Sequence, residues 1–275
     1  DNLWTTAANW NNDALPSGGA NVLIDVSAAT TVTLDSGNVA VARLQSDEGL
    51  VVQSSSTVLQ VSGLATLNGS LTANQEATLS AAGASAEFHA YGVTSITGVH
   101  LLASSGGILD LARATTYSGT INRDYLLQAS GTGSLIDLSG VTSFAGSTGD
   151  VSGPGGTVVD IRPIGGGRID LSSVTSMAGQ FDIAVSDAAD ELDLSSLVAI
   201  TGSTSIIQAI GSGRVSLPSI DRLTGVGLIA SNGGVIDASN ATQYSGTINR
   251  DYLLQASGTG SLIDLSGVTS FAGST

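Results

Sequence analysis

Along most of this chain a polar residue recurs with an apolar neighbour on each side. Eight such units are centred on His89, Asp110, Asp137, Asp170, Asp193, Ser216, Asp237 and Asp264, with gaps of 21, 27, 33, 23, 23, 21 and 27 residues. The residue before each centre is Phe88, Leu109, Ile136, Ile169, Leu192, Val215, Ile236 or Ile263, and the residue after it is Ala90, Leu111, Leu138, Leu171, Leu194, Leu217, Ala238 or Leu265. Alternation with period two defines a strand whose flanks point inward and whose centre points to solvent. Four residues after the centre stand Val93, Ala114, Val141, Val174, Leu197, Ile220, Ala241 and Val268, and three further on stand Ile96, Tyr117, Phe144, Met177, Ile200, Leu223, Tyr244 and Phe271. These predict a second strand. Nine residues after the centre every unit has glycine, from Gly98 to Gly273, which marks a corner needing positive φ or a backbone contact too close for a Cβ. A third apolar stretch follows, as in LLAS at Leu101, YLLQAS at Tyr125, FDIAV at Phe181 and SIIQA at Ser205. Three short strands per unit predict triangular coils of roughly 21 to 27 residues stacked on one axis. No window sustains a helical i, i+3, i+4, i+7 stripe without glycine or a β-branched run.

A longer repeat overlies the coils. Residues 117–148, YSGTINRDYLLQASGTGSLIDLSGVTSFAGST, are copied letter for letter at 244–275, an offset of 127. Residues 20–84 carry similar segments in looser register, such as VLID at Val22 and TVLQV at Thr57, enough for about three coils. Residues 1–19 hold Trp4, Trp10 and Pro16, suitable material to cap the apolar end of a first coil, with a ligand site as the alternative use. The expected organisation is a cap at 1–19, irregular coils over 20–84, and regular repeats over 85–275 with an insert at 149–168. About eleven coils at roughly 4.8 Å per rung make a rod on the order of 50 Å long. In the last copied unit Ile263, Leu265, Val268 and Phe271 are expected to form open rows, either continued by further repeats or covered by end-to-end association.

These features resemble the right-handed parallel β-helix proteins, the pectate-lyase-like architecture shared by polysaccharide-degrading enzymes, bacterial adhesins and autotransporter passengers. The resemblance covers essentially the whole chain and implies an all-β, right-handed parallel β-helix solenoid. The opening LWTTAANWNNDALPSGGANVLID, Leu3 to Asp25, also resembles the Trp-bearing start of large secreted bacterial repeat proteins. What these resemblances imply is an extracellular or bacterial cell-surface location, a stalk or adhesive fibre, and a partner that is a second copy, a glycan or a surface receptor.

Composition sharpens this picture. Gly 36 with 4% aromatics leaves few of the large side chains that fill a wide core, so thin cross-sections are expected. Net charge is −15, the chain has no lysine, and its eight positive charges are all arginine. Nucleic acid is excluded as a partner because phosphate binding needs a basic stripe. Mean hydropathy is +0.30, yet no run approaches the roughly 18 apolar residues of a spanning helix, so no membrane insertion is expected. Zero cysteine is compatible with any compartment.

Candidate chemistry is acidic. The outward positions Asp110, Asp137, Asp170, Asp193, Asp237 and Asp264 form a column, broken at His89 and Ser216, that either solubilises the rod or binds cations between coils. The densest acidic stretch, which begins at Asp182, makes Asp187, Asp190, Glu191 and Asp193 candidate Ca²⁺ ligands. Neither an EF-hand loop nor a G-G-x-G-x-D array accompanies them. Asn122-Arg123-Asp124 recurs as Asn249-Arg250-Asp251 and is expected in a protruding loop, its Arg paired with its Asp, as plain surface or as a recognition loop. No catalytic residue is assigned. Lysine is absent, His89 and His100 are isolated, and a literal 32-residue copy suits an additive function better than a single cleft. The alternative, a polysaccharide lyase or hydrolase, centres on the insert, with Asp150, Asp160, Arg162 and Arg168. A threonine column at Thr94, Thr115, Thr142, Thr175, Thr242 and Thr269 is interrupted by Val198 and Asp221, a weak case for an ice-binding face.

Overall fold

The structure, a computed structural model, describes residues 1–26, 29–149, 158–247 and 251–274. It is a parallel β-solenoid of about ten turns with three strands per turn. Two short 3-10 segments, Ala7–Asn9 and Asn11–Asp13, are the helices among the described residues. One turn illustrates the course: Ile108–Asp110 lies on face 1, Ala114–Ser118 on face 2 and Tyr125–Ser130 on face 3. Each pairs in parallel with its counterpart one turn on, namely Leu135–Asp137, Ser143–Ala145 and Val159–Ile164. Some strands bend through a corner, as Asn38–Ser46 does from face 3 to face 1 and Ala199–Ile210 from face 2 to face 3.

The register of face 1 is the one read from the alternation. His89 stands against Asp110, Asp110 against Asp137, Asp137 against Asp170 and Asp170 against Asp193; then Ser216 stands against Asp237 and Asp237 against Asp264. The same row continues upstream through Thr66, Gln45 and Leu23. The coils of residues 20–84 are therefore in register with the rest, and their apparent looseness was a lack of aspartate rather than of order. Eleven rungs on face 1 bound the ten turns, close to the expected coil number. The Trp4/Trp10 segment packs against the core at the first coil. Trp4 is buried, Trp10 meets it edge-on at 4.8 Å and donates its indole N–H to the Trp4 carbonyl, and the Trp4 N–H donates to the Thr33 carbonyl.

Inward residues stack into rows one residue wide. Leu109, Ile136 and Ile169 form one row, and Leu111, Leu138 and Leu171 another, all fully buried. On face 2, Tyr117 stacks on Phe144 at 4.8 Å and its hydroxyl donates to the Val99 carbonyl at 2.9 Å. The corner glycines act mainly through close approach: a Cβ on Gly146 would lie 2.1 Å from the Gln180 carbonyl oxygen, although Gly146 has ordinary φ. At Gly225 both reasons apply, with φ +65° and a Cβ 2.2 Å from the Gly202 oxygen.

Two expectations need correction. In the His89 coil the inward position after the corner is taken by Thr94, which pairs with Ala114, while Val93 is turned out and 81% exposed. The register shifts between Thr94 and Ile96, and the Thr94 hydroxyl donates to the Gly92 carbonyl. Alternation alone gave Val93 the buried place because valine is the more apolar of the two. The insert is also shorter than 149–168, since Val159–Ile164 and Arg168–Asp170 are regular rungs of faces 3 and 1. Asp150 lies outside the described residues.

Leu138→Asp, which forces a charge into a buried row, is expected to destabilise by about 3 kcal/mol or more. Asp137→Asn, which keeps an acceptor at the neighbouring outward site, is expected to shift the melting temperature little. Equal shifts in thermal denaturation would overturn the in/out assignment.

Candidate functional site

The aspartate column closes the corner between faces 1 and 2. In each unit one carboxylate oxygen accepts the backbone N–H two residues on: Asp137 from Ser139 at 2.9 Å, Asp170 from Ser172 at 3.0 Å, Asp193 from Ser195 at 3.0 Å, and likewise Asp110 from Ala112, Asp237 from Ser239 and Asp264 from Ser266. This is the local side-chain turn that Asp favours because its short arm reaches its own backbone. Ser266 donates to Asp264 through its hydroxyl and its N–H, and these bonds hold that carboxyl below its ordinary value. Cations interleave with the column. Arg168 pairs with Asp170 at 2.9 Å, and Arg214, on the rung where Ser216 interrupts the row, reaches Asp237 at 2.9 Å. At the head of the column His89 places Nδ1 3.0 Å from Asp110 and Nε2 3.2 Å from Glu87. Burial opposes charge on this ring, but the two carboxylates outweigh it and its pKa is raised.

The stretch from Asp182 to Asp193 is not gathered into one ligand set. Asp190, 7% exposed, accepts Gly166 N–H from the preceding coil at 2.9 Å on one oxygen and Asp187 N–H at 2.9 Å on the other, with Ser186 adding weaker bonds. Ser134 and Ser261 stand at the same place in their coils and take Gly106 and Gly233 N–H through their hydroxyls. Asp190 is thus the carboxylate version of a recurrent plug between coils. Asp187 caps Ala189 N–H, Glu191 lies 3.8 Å from Arg168, and Asp193 belongs to the column. Among the described residues no three acidic or imidazole groups are placed to hold a metal ion.

The Asn122-Arg123-Asp124 loop is wired differently from expectation. Arg123 pairs with Glu76 from two coils before at 2.7 Å, and Asp124 accepts Val158 N–H of the coil after at 2.9 Å, so the two side chains bridge outward instead of pairing with each other. Asn249 and Arg250 of the second copy lie outside the described residues, and Asp251 is exposed. The threonine column also turns to backbone: the hydroxyls of Thr142, Thr175 and Thr269 donate to the carbonyls of Thr115, Thr142 and Thr242.

Sequence reasoning did miss one juxtaposition. On face 3 Asp160 and Asp182 are register partners on adjacent rungs, and Arg162 holds Asp160 at 2.7 Å. Burial, and then the Asp160 charge, push the Asp182 carboxyl up to about 6, against the opposing pull of Ile206 N–H and Arg162. The matching triplets Val159-Asp160-Ile161 and Phe181-Asp182-Ile183 carried the signal, which went unread because the insert was drawn over the first of them. His100 on the same face accepts Leu126 N–H at 3.2 Å and is lowered by burial, so it serves as a neutral backbone acceptor.

No family model matches the chain, and neither a curated protein nor a solved structure matches it. The fold places the chain in a class, the parallel β-solenoids.

Removing Asp190 with alanine is expected to cost about 3 kcal/mol, because several N–H groups lose their acceptor at once. Asp187→Ala is expected to cost less than about 1 kcal/mol. The contrast is expected in chelator as well as in millimolar Ca²⁺; loss of the contrast in chelator would indicate an ion at this loop. Folding raises the Asp182 carboxyl, so its contribution is favourable below the ordinary value of 3.8 and is lost as pH rises through about 6. Asp182→Asn, which still accepts Ile206 N–H, is therefore expected to raise the melting temperature at neutral pH and to flatten its fall across that window.

Proposed function

We propose that this chain is a stiff spacer segment of a secreted or cell-surface fibre, in which coils set the length and outward side chains carry any adhesion. One observation carries the reading: the inward rows stay apolar and buried from coil to coil, and each rung pairs in register with the next. Such a design is additive, since each coil is held by its neighbours and copying a unit lengthens the rod without disturbing a centre. An acidic, lysine-free surface fits an exposed life, as it offers trypsin-like proteases few sites. In this reading further coils or a second copy extend the same parallel sheets. Small-angle scattering is expected to give a rod of roughly 50 Å that lengthens by about 4.8 Å for each coil inserted. A compact particle, or a length insensitive to inserted coils, would overturn the proposal.

A second reading, a polysaccharide-active enzyme, is favoured by the Asp160/Asp182 pair, where a carboxyl raised to about 6 beside a second carboxyl suits acid–base work. Turnover of a uronate or neutral polysaccharide that is lost in Asp160→Ala, with the melting curve retained, would replace the spacer reading.

A further inference from the structure

The repeat supplies its own reference state, because a coil that departs from its neighbours at several adjacent outward positions does so against a known background. The His89 coil is that coil. Two residues after the centre, where later coils carry Ala112, Ser139, Ser172, Ser195, Pro218, Ser239 and Ser266, it carries Tyr91. Of the described aromatic residues Tyr91 and Phe271 are exposed, and Phe271 lies in the last coil. Tyr91 is 52% exposed, next to the outturned Val93. Its ring lies parallel to the His89 ring, 5.7 Å away with 3° between the planes, and His89 is fixed through both nitrogens by Glu87 and Asp110. An exposed ring held in one orientation loses little freedom on binding, which is the condition for a stacking platform.

The ring ends a strip of planar polar side chains. The corner row that holds Tyr91 runs upstream through Asn68, Asp47 and Asp25, with the Asn68 amide donating to Asp47 at 2.6 Å. Beside it the central row runs from His89 through Thr66 and Gln45 to Leu23. Over these coils face 1 has a shallow depression of about 240 Å³, lined by Leu23, Arg43, Gln45, Leu64 and Thr66. The Arg43, Gln45, Thr66 and Tyr91 side chains make no hydrogen bond to other described residues.

We propose that this strip, from the depression at Arg43 and Gln45 to the Tyr91 ring, binds a neutral oligosaccharide chain lying along the rod axis. Tyr91 stacks on a pyranose face, and Gln45, Asn68, Thr66 and Arg43 with the carboxylates Asp47 and Glu87 exchange hydrogen bonds with sugar hydroxyls. Mixed donors and acceptors suit a hydroxyl-rich ligand. A uronate chain is opposed by Asp25, Asp47 and Glu87, and for a cationic peptide two of these carboxylates are already engaged, Asp47 by the Asn68 amide and Glu87 by His89. The rung repeat of about 4.8 Å also approximates the advance of one sugar along an extended chain, so successive residues meet successive rungs. The inference rests on the spacer reading only in placing the chain where glycans are met.

The test is amide NMR of the whole 275-residue chain titrated with neutral hexasaccharides of β-1,4-linked glucose, mannose and xylose. An oligogalacturonate and a hexa-arginine peptide serve as contrasts. Saturable shifts at Gln45, Asn68, His89 and Tyr91 with at least one neutral sugar are expected. In Tyr91→Ala, affinity is expected to fall by about tenfold or more while the melting temperature stays unchanged. Tyr91→Phe is expected to retain stacking and most of the affinity. No shifts with any neutral sugar at millimolar concentration, shifts elsewhere on the rod, or equal binding by Tyr91→Ala would each overturn the proposal. A preference for the uronate or the peptide would overturn the ligand class. None of these failures touches the rod length, so the spacer reading stands or falls separately.

Discussion

Parallel pairing between successive coils is the interaction on which everything else in this molecule depends. A single three-stranded coil has no core: its inward residues meet little across the thin section and gain burial from the same residues one turn above and below. Leu109 is buried because Phe88 and Ile136 sit in its row, and the row exists because backbone hydrogen bonds lock the rungs in register. A slip by one residue would turn every aliphatic flank outward and every aspartate inward. The cost of such a slip grows with the number of coils, so register is the property the sequence protects most strongly. The local shift at Thr94 is absorbed because a threonine hydroxyl can satisfy itself on the Gly92 carbonyl.

Corners are where this architecture spends its polar residues. A coil that turns three times leaves N–H groups without strand partners, and buried N–H groups need acceptors. Aspartate supplies them at the corner after face 1, and Ser134, Asp190 and Ser261 supply them at the corner before it. A feature that looked like surface charge is therefore largely a set of turn caps that happen to be ionised. Their mutual repulsion across a rung is somewhat under about 1 kcal/mol in water. It is relieved where Arg168, Arg214 and His89 enter the same face. Glycine takes the remaining corners because carbonyl oxygens of the neighbouring coil leave no room for a Cβ.

Such a frame separates stability from recognition. Inward rows and corner caps are constrained coil by coil, while outward positions are free to vary at little cost. Departures from the repeat thus read more clearly than in a globular protein, and two of them combine several residues. One is the Asp160/Asp182/Arg162 group on face 3, and the other is the Tyr91/His89 corner with its polar strip. Both join residues a turn or more apart in sequence, brought to neighbouring rungs by the winding.

The sequence by itself determined the all-β class, the strand positions and the register, because alternation, corner glycines and the copied 32 residues are local and repeated many times over. It also marked Trp4 and Trp10 as material for the first coil, where the two rings meet edge-on. The tertiary structure decided whatever depends on the neighbouring coil. Phe144 and Phe271 occupy identical 32-residue sequences, yet one is 1% and the other 62% exposed, because a further rung covers the first. Arg123 pairs with Glu76 and not with Asp124, Asp190 takes an N–H of the preceding coil, and Asp182 meets Asp160. Each of these contacts links residues 22 to 47 positions apart. Such spacings follow from the lengths of the intervening loops, and a repeat whose length varies from 21 to 33 residues does not disclose them until it is wound.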